Sequence, residues 1–208
     1  MLLTHKVAAL YYKLIHEFNC DNILISPPYN GHIILLYENE SDLDNAMATY
    51  INEGLKRDQL SVHASVNLNN RDYIENFSSH ITNYHENIEK GNLVLIDLVL
   101  YYVHAMVGNL GPFNKLKEDI VNIADKDSNR KDKHIRLTTD CATLLFKNQH
   151  FNECILLEEW WHQEPFPGSC ICPYPKFLVN QFPYNAYISR LFHQDDVIIC
   201  KNERFDSE

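Results

Sequence analysis

The sequence predicts an α/β fold in three layers, a mostly parallel sheet with helices on both faces, and three observations carry that prediction. Residues 32–65 read as a βαβ unit: the apolar run Ile33-Ile34-Leu35-Leu36-Tyr37, an amphipathic helix, and a second apolar strand from Leu60. Alternation of apolar strands and helices then continues to the last apolar run, Val197-Ile198-Ile199-Cys200. Finally, 208 residues with a 45% hydrophobic and 22% charged composition suit one soluble domain with a sizeable core.

The elements follow in order. Val7, Leu10, Tyr11, Leu14, Ile15 and Phe18 recur at helical spacing, predicting an N-terminal amphipathic helix against the sheet or a partner copy. Ile23-Leu24-Ile25 reads as a short strand, stopped by Pro27-Pro28 and the turn Tyr29-Asn30-Gly31. That hinge is too short to separate domains. Residues 1–208 are therefore one domain, with 1–29 as helix and hinge and 30–200 as the core. After the first long strand, Ser41 is the expected N-cap, with Asp44 in capping-box position. The helix buries Leu43, Met47, Tyr50, Ile51 and Leu55. Residues 70–90 form a polar surface helix on Tyr73, Ile74, Phe77, Ile81 and Tyr84. A strand ending at Asp97 follows, then a helix over 114–133, a strand at Ile135-Arg136-Leu137, and one long helix from Cys141 to His162. Pro165 and Pro167 end that helix. Ser169 to Tyr174 makes a strand, Tyr184 to His193 a helix, and Val197 to Cys200 the closing strand.

Composition excludes several classes. A net charge of −10 with dispersed Lys and Arg is unlike a nucleic-acid surface. The most apolar window, Leu93 to Val107, is shorter than a membrane span and contains Asp97 and His104. The N-terminus lacks the basic-then-apolar pattern of a secretory signal, so the expected location is cytoplasmic. Its six cysteines should then be reduced. Catalysis is not expected: no G-x-S-x-G is present, and Cys172 followed by Pro173 is awkward for a nucleophile needing a positioned base.

The connection after the first long strand is Glu38-Asn39-Glu40-Ser41-Asp42. A phosphate-binding loop there would need glycines and a Lys-Ser/Thr pair. Three acidic side chains repel a polyphosphate instead.

His32 with its apolar run and Tyr37-Glu38, then Tyr50-Ile51-Asn52-Glu53-Gly54-Leu55-Lys56-Arg57, resembles the opening of the MEDS domain. Gly91 to Asp97, Ile135-Arg136-Leu137, and Cys172-Pro173-Tyr174 with His193 resemble its later motifs, in the same order. The resemblance covers roughly residues 30 to 200. It implies a sensory domain of methanogens and methylotrophs, a P-loop-less relative of RecA-type clock ATPases, hence a degenerate RecA-like fold. It also implies sensing of simple hydrocarbon derivatives without catalysis.

Ligands of open α/β sheets bind beyond the carboxyl ends of the strands. Tyr37, Glu38, Asp97 and Tyr174 stand at such ends, with Ser65, Thr138-Thr139 and Pro173, and would suit a small neutral or cationic molecule. Tyr37 and Tyr174 equally suit core caps. The resemblance adds His32 and His193 to the ligand set. His32 opens its strand, however, and a structural role anchoring the strand's entry is expected. Cys170 and Cys172 share a strand face and could hold a metal with His193, as could Cys172, His193 and Glu158, although buried cysteines serve as small hydrophobes. No cofactor is expected. In Glu158-Glu159-Trp160-Trp161-His162 at most one Trp can be fully core, leaving the other for a pocket or partner.

These readings converge on a non-catalytic sensory module that binds a small organic ligand and signals through a protein partner or a homodimer. The alternatives are a cryptic nucleotide-binding, ATPase-like protein and a metal or redox switch through Cys170, Cys172 and His193.

Overall fold

The computed structural model describes residues 20–126, 132–163, 166–181 and 190–191, and the backbone of 197–200. The elements are α1 (Cys20–Ile25), β1 (Gly31–Tyr37), α2 (Glu40–Lys56), β2 (Leu60–Ser65), α3 (Arg71–His80), α4 (Tyr84–Glu89) and β3 (Leu93–Asp97). There follow α5 (Val99–Ala105), α6 (Gly111–Lys126), β4 (Ile135–Thr139), α7 (Cys141–Lys147), α8 (Phe151–Trp161), β5 (Gly168–Pro175), α9 (Lys176–Gln181) and β6 (Val197–Cys200).

The strands form one sheet in the order β3-β2-β4-β5-β1-β6, every described pairing parallel. The chain steps one way from β1 to β2 to β3, then turns back through β4 and β5 to β6. Right-handed crossovers place connections running in opposite directions on opposite faces. Hence α2, α3 and α4 cover one face and α5 to α8 the other, which is the expected three-layer α/β architecture. Each layer has its own core. Ile33 and Leu35 join Leu24, Tyr50, Ile51, Phe77 and Ile171 on the first face. Ile34 and Leu36 join Val62, Leu137, Leu145, Cys154 and Tyr174 on the second. Parallel strands buried on both sides need apolar residues at both parities, so β1 is apolar throughout its last five residues.

Local departures from the sequence reading have identifiable causes. Ile23-Leu24-Ile25 lies in helix α1, not a strand. Its Leu24 and Ile25 carbonyls, left open at the helix end, accept from the guanidinium of Arg136 at 2.8 Å each. The cap of α2 is Asn39 rather than Ser41: Asp42 N–H donates to Asn39 Oδ1 at 3.0 Å. The helix read over 70–90 is divided between α3 and α4, with Asn83 at φ 51°. The long 141–162 helix is likewise two, because Gln149 takes φ 64° and reverses the chain. The sequence reading had no helix at 99–105, where α5 leaves Leu100 and Val103 exposed. The predicted helices over 5–18 and 184–193 lie outside the described residues. No described helix is long and apolar enough to cross a membrane.

Candidate functional site

The neighbouring strands β2 and β4 send their connections in opposite directions, so a crevice opens beyond their carboxyl ends. A cavity of about 220 Å³ lies there. Tyr37 reaches it from the end of β1, Met47 and Ala48 from α2, His63 from β2, Tyr73 and Phe77 from α3, and Asp140, Thr143 and Lys147 from the start and end of α7.

Asp140 joins the two sides of the crevice. Its carboxylate accepts from Ser65 Oγ at 2.6 Å, Val66 N–H at 3.0 Å and Asn67 Nδ2 at 3.3 Å. Burial raises its pKa despite those donors. His63 is buried against the Phe77 ring, centroids 4.1 Å apart, and its nitrogens meet Thr138 Oγ1 and Tyr73 Oη at 2.8 Å each. Burial lowers its pKa to about 3, so it is a neutral imidazole at physiological pH. The Tyr37 hydroxyl is buried with no hydrogen bond of good geometry among the described residues. The Lys147 ammonium lies over its ring, 5.7 Å from the centroid.

A second polar cluster lies on the other face of the sheet, within the core. His32 Nε2 is 3.0 Å from Glu158 Oε2 and 3.2 Å from Cys172 Sγ, and all three residues are buried. His32 reaches this face from the start of β1, Cys172 from β5, and Glu158 from α8. Tyr174 Oη donates to the other Glu158 oxygen and touches Cys154 Sγ at 3.4 Å. A hydrogen bond with Cys170, then burial and the nearby Glu158 charge, hold the Cys172 thiol well above its ordinary pKa. Beside the cluster is an apolar cavity of about 50 Å³, reached by Cys172, Glu158, Trp160 and Trp161. Lys117 lies 5.0 and 4.8 Å from the centroids of those two indoles. Both Trp side chains are partly buried, so neither is fully core.

The residues singled out from the sequence thus divide. Tyr37 lines the strand-end cavity. Glu38 faces solvent with Lys176, and Asp97, on the far edge strand, accepts from Val99 N–H at 2.8 Å and Asn69 Nδ2 at 2.5 Å. Tyr174 lies behind the sheet with His32. The four strand-end residues therefore do not form one cleft: Tyr174 points to the opposite face from Tyr37, and β3 lies four strands from β1. His193 lies outside the described residues. Asp140, His63 and Lys147 were missed, although Asp140 directly follows the Thr138-Thr139 pair that the strand-end rule had reached.

The fold is a three-layer, all-parallel α/β domain with a crevice at its topological switch point. Residues 31–196 match the MEDS family, described as MEthanogen/methylotroph, DcmR Sensory domain. The chain belongs to this family of sensory domains. No curated protein matches it. Among solved structures it is similar to a KaiC-like protein of the hyperthermophilic archaeon Pyrococcus horikoshii OT3, with 14% identity and a TM-score of 0.47. The match covers 70% of this chain and 63% of that protein's length.

Proposed function

We propose that the domain is a non-catalytic sensor that holds one small organic molecule in the strand-end cavity and passes occupancy to a partner protein or a second copy. The observation that carries this reading is the buried Tyr37 hydroxyl, a donor without a good protein acceptor at the cavity wall. Such a group costs about 1–3 kcal/mol, which a bound acceptor would recover. The volume supports a molecule of modest size, since a cavity of about 150 Å³ holds benzene. Asp140, Lys147 and neutral His63 favour a polar or polar-ended molecule over a bare hydrocarbon. The exposed apolar side chains of α5 support contact with another protein.

Nucleotide is disfavoured by local chemistry. Only Glu38 and Asn39 separate β1 from α2, and the first turn of α2 carries Glu40 and Asp42. That helix start lacks the glycine-rich loop and lysine of a phosphate cradle and is negatively charged.

The test is a thermal-shift screen with small alcohols, amines, amides and carboxylates. A hit should raise the melting temperature of the wild type. The rise should shrink in Tyr37→Phe and vanish in Ala48→Leu, which fills the cavity. A ligand whose shift survives both substitutions binds elsewhere and overturns the proposal.

A further inference from the structure

We propose that His32, Glu158 and Cys172 form a transition-metal site, best suited to Zn²⁺, with one coordination position open toward the small apolar cavity. This inference is independent of the strand-end cavity, which lies at the ends of the strands rather than on this face.

The geometry is the first argument. An imidazole nitrogen, a thiol sulfur and a carboxylate oxygen all lie within 4.8 Å of one another. Two of the separations are 3.0 and 3.2 Å. Ligands at about 2.0–2.3 Å around a tetrahedral zinc stand roughly 3.3–3.8 Å apart, so small rotamer adjustments would seat the ion. The donors come from three elements, β1, β5 and α8, that are already fixed by the sheet and the core beneath it.

Donor chemistry is the second argument. Imidazole, thiolate and carboxylate are the three protein donor types zinc uses, whereas magnesium and calcium call for oxygen alone. A divalent ion with a thiolate, a carboxylate and a neutral imidazole sums to zero charge. This suits a site with His32 and Glu158 each only 2% exposed. Tyr174 supplies the outer support, donating to Glu158 and thereby orienting the carboxylate.

The third argument is the adjoining space. Sites with three protein ligands keep a fourth position for water or an exogenous donor. Here Cys172 and Glu158 form part of the wall of the cavity of about 50 Å³, whose remaining wall is mainly apolar and aromatic. Its size admits a water molecule or a donor group with a few heavy atoms attached. On binding, the ion displaces the Cys172 thiol proton to solvent, with no change of oxidation state.

Cobalt(II) tests this with a spectroscopic readout. The untagged full-length chain, stripped of metal, is titrated anaerobically with Co²⁺. One equivalent should produce tetrahedral visible bands and a near-ultraviolet thiolate-to-cobalt charge-transfer band, and Zn²⁺ should bleach both. Cys172→Ser should abolish the charge-transfer band, and Glu158→Gln should weaken binding at least tenfold, while Cys170→Ser should retain the band. Should Cys172→Ser fail to fold, retention of the band in Cys141→Ser, Cys154→Ser and Cys170→Ser supports Cys172 by elimination of its neighbours. Absence of a band in folded wild-type protein overturns the site. So does a band that persists in Cys172→Ser or is lost in Cys141→Ser, Cys154→Ser or Cys170→Ser.

Discussion

Gly54 lies directly beneath the Arg136 side chain: a Cβ on this glycine would come 2.6 Å from Arg136 Cδ and 2.7 Å from Ser61 Oγ. Arg136 is fully buried and cannot retreat. Its Nε donates to Gln59 Oε1 at 2.6 Å, and its Nη1 and Nη2 donate to the carbonyls of Leu24, Tyr50 and Ile25 at 2.8–2.9 Å. Burial lowers its pKa to about 10, which leaves it charged at neutral pH. Gly54→Ala is therefore expected to destabilise the protein by about 1–3 kcal/mol through overpacking. Urea denaturation measures this; an unchanged midpoint would show that the guanidinium shell is more compliant than its hydrogen bonds imply.

Tyr37→Phe should raise stability by up to about 1–3 kcal/mol, because the hydroxyl removed is buried without a good hydrogen bond. The phenol pKa is raised by burial, with Lys147 opposing that rise. Chemical denaturation of the two proteins decides the matter. A loss of about 1–2 kcal/mol would mean that the hydroxyl already has a protein partner, with Lys147 Nζ donating to its oxygen, and would contradict the reading of an unsatisfied buried group.

Stability should fall on acidification through the His63 imidazole. The unfolded chain binds a proton near pH 6.5, whereas burial in the folded protein lowers the pKa to about 3. Between those values the unfolded state holds more protons, so stability rises with pH and is lost as pH falls from about 6.5 toward 3. The burial-lowered pKa of His134 acts with the same sign. The burial-raised pKa of Asp140 acts oppositely at the acid end. A loss on the order of 2–4 kcal/mol is expected between about pH 7.5 and about pH 4.5. His63→Gln should flatten this slope whatever its own stability, and an unaltered slope would exclude His63 as the source.

Calorimetric titration with ATP or GTP and magnesium should give no binding heat at millimolar nucleotide. Glu40 and Asp42 occupy the first turn of α2, where phosphate would have to approach. A micromolar dissociation constant would restore the ATPase-like alternative.

The sheet was legible in the sequence for a simple physical reason. Strands buried on both faces become continuous apolar runs such as Ile33 to Leu36, and the shortness of these runs suits strands better than buried helices. Breaks at Asn83 and Gln149 were hidden because each depends on a non-glycine residue taking a left-handed conformation. Helix α5 was obscured by the apolar stretch that begins in β3, since its exposed valines and leucine blur the helical period. The site was less legible. Tyr37 could be placed by the strand-end rule, but the cavity draws on α2, α3 and α7, and that meeting is a product of tertiary packing. His32 and Cys172 are 140 positions apart, and pairing them required the β1–β5 register.

Strand β1 is hydrogen-bonded along both sides, to β5 and to β6. Its even positions from His32 face one core and its odd positions the other. Inserting or deleting one residue within 33–36 would reverse that parity for every residue on one side of the lesion. The His32 imidazole would then enter the Leu24–Tyr50 core, or Tyr37 would turn toward α8. A substitution in β1 can be absorbed locally; a frame change of a single residue cannot. The segment should therefore reject single-residue insertions and deletions, even where it tolerates exchange of one aliphatic side chain for another.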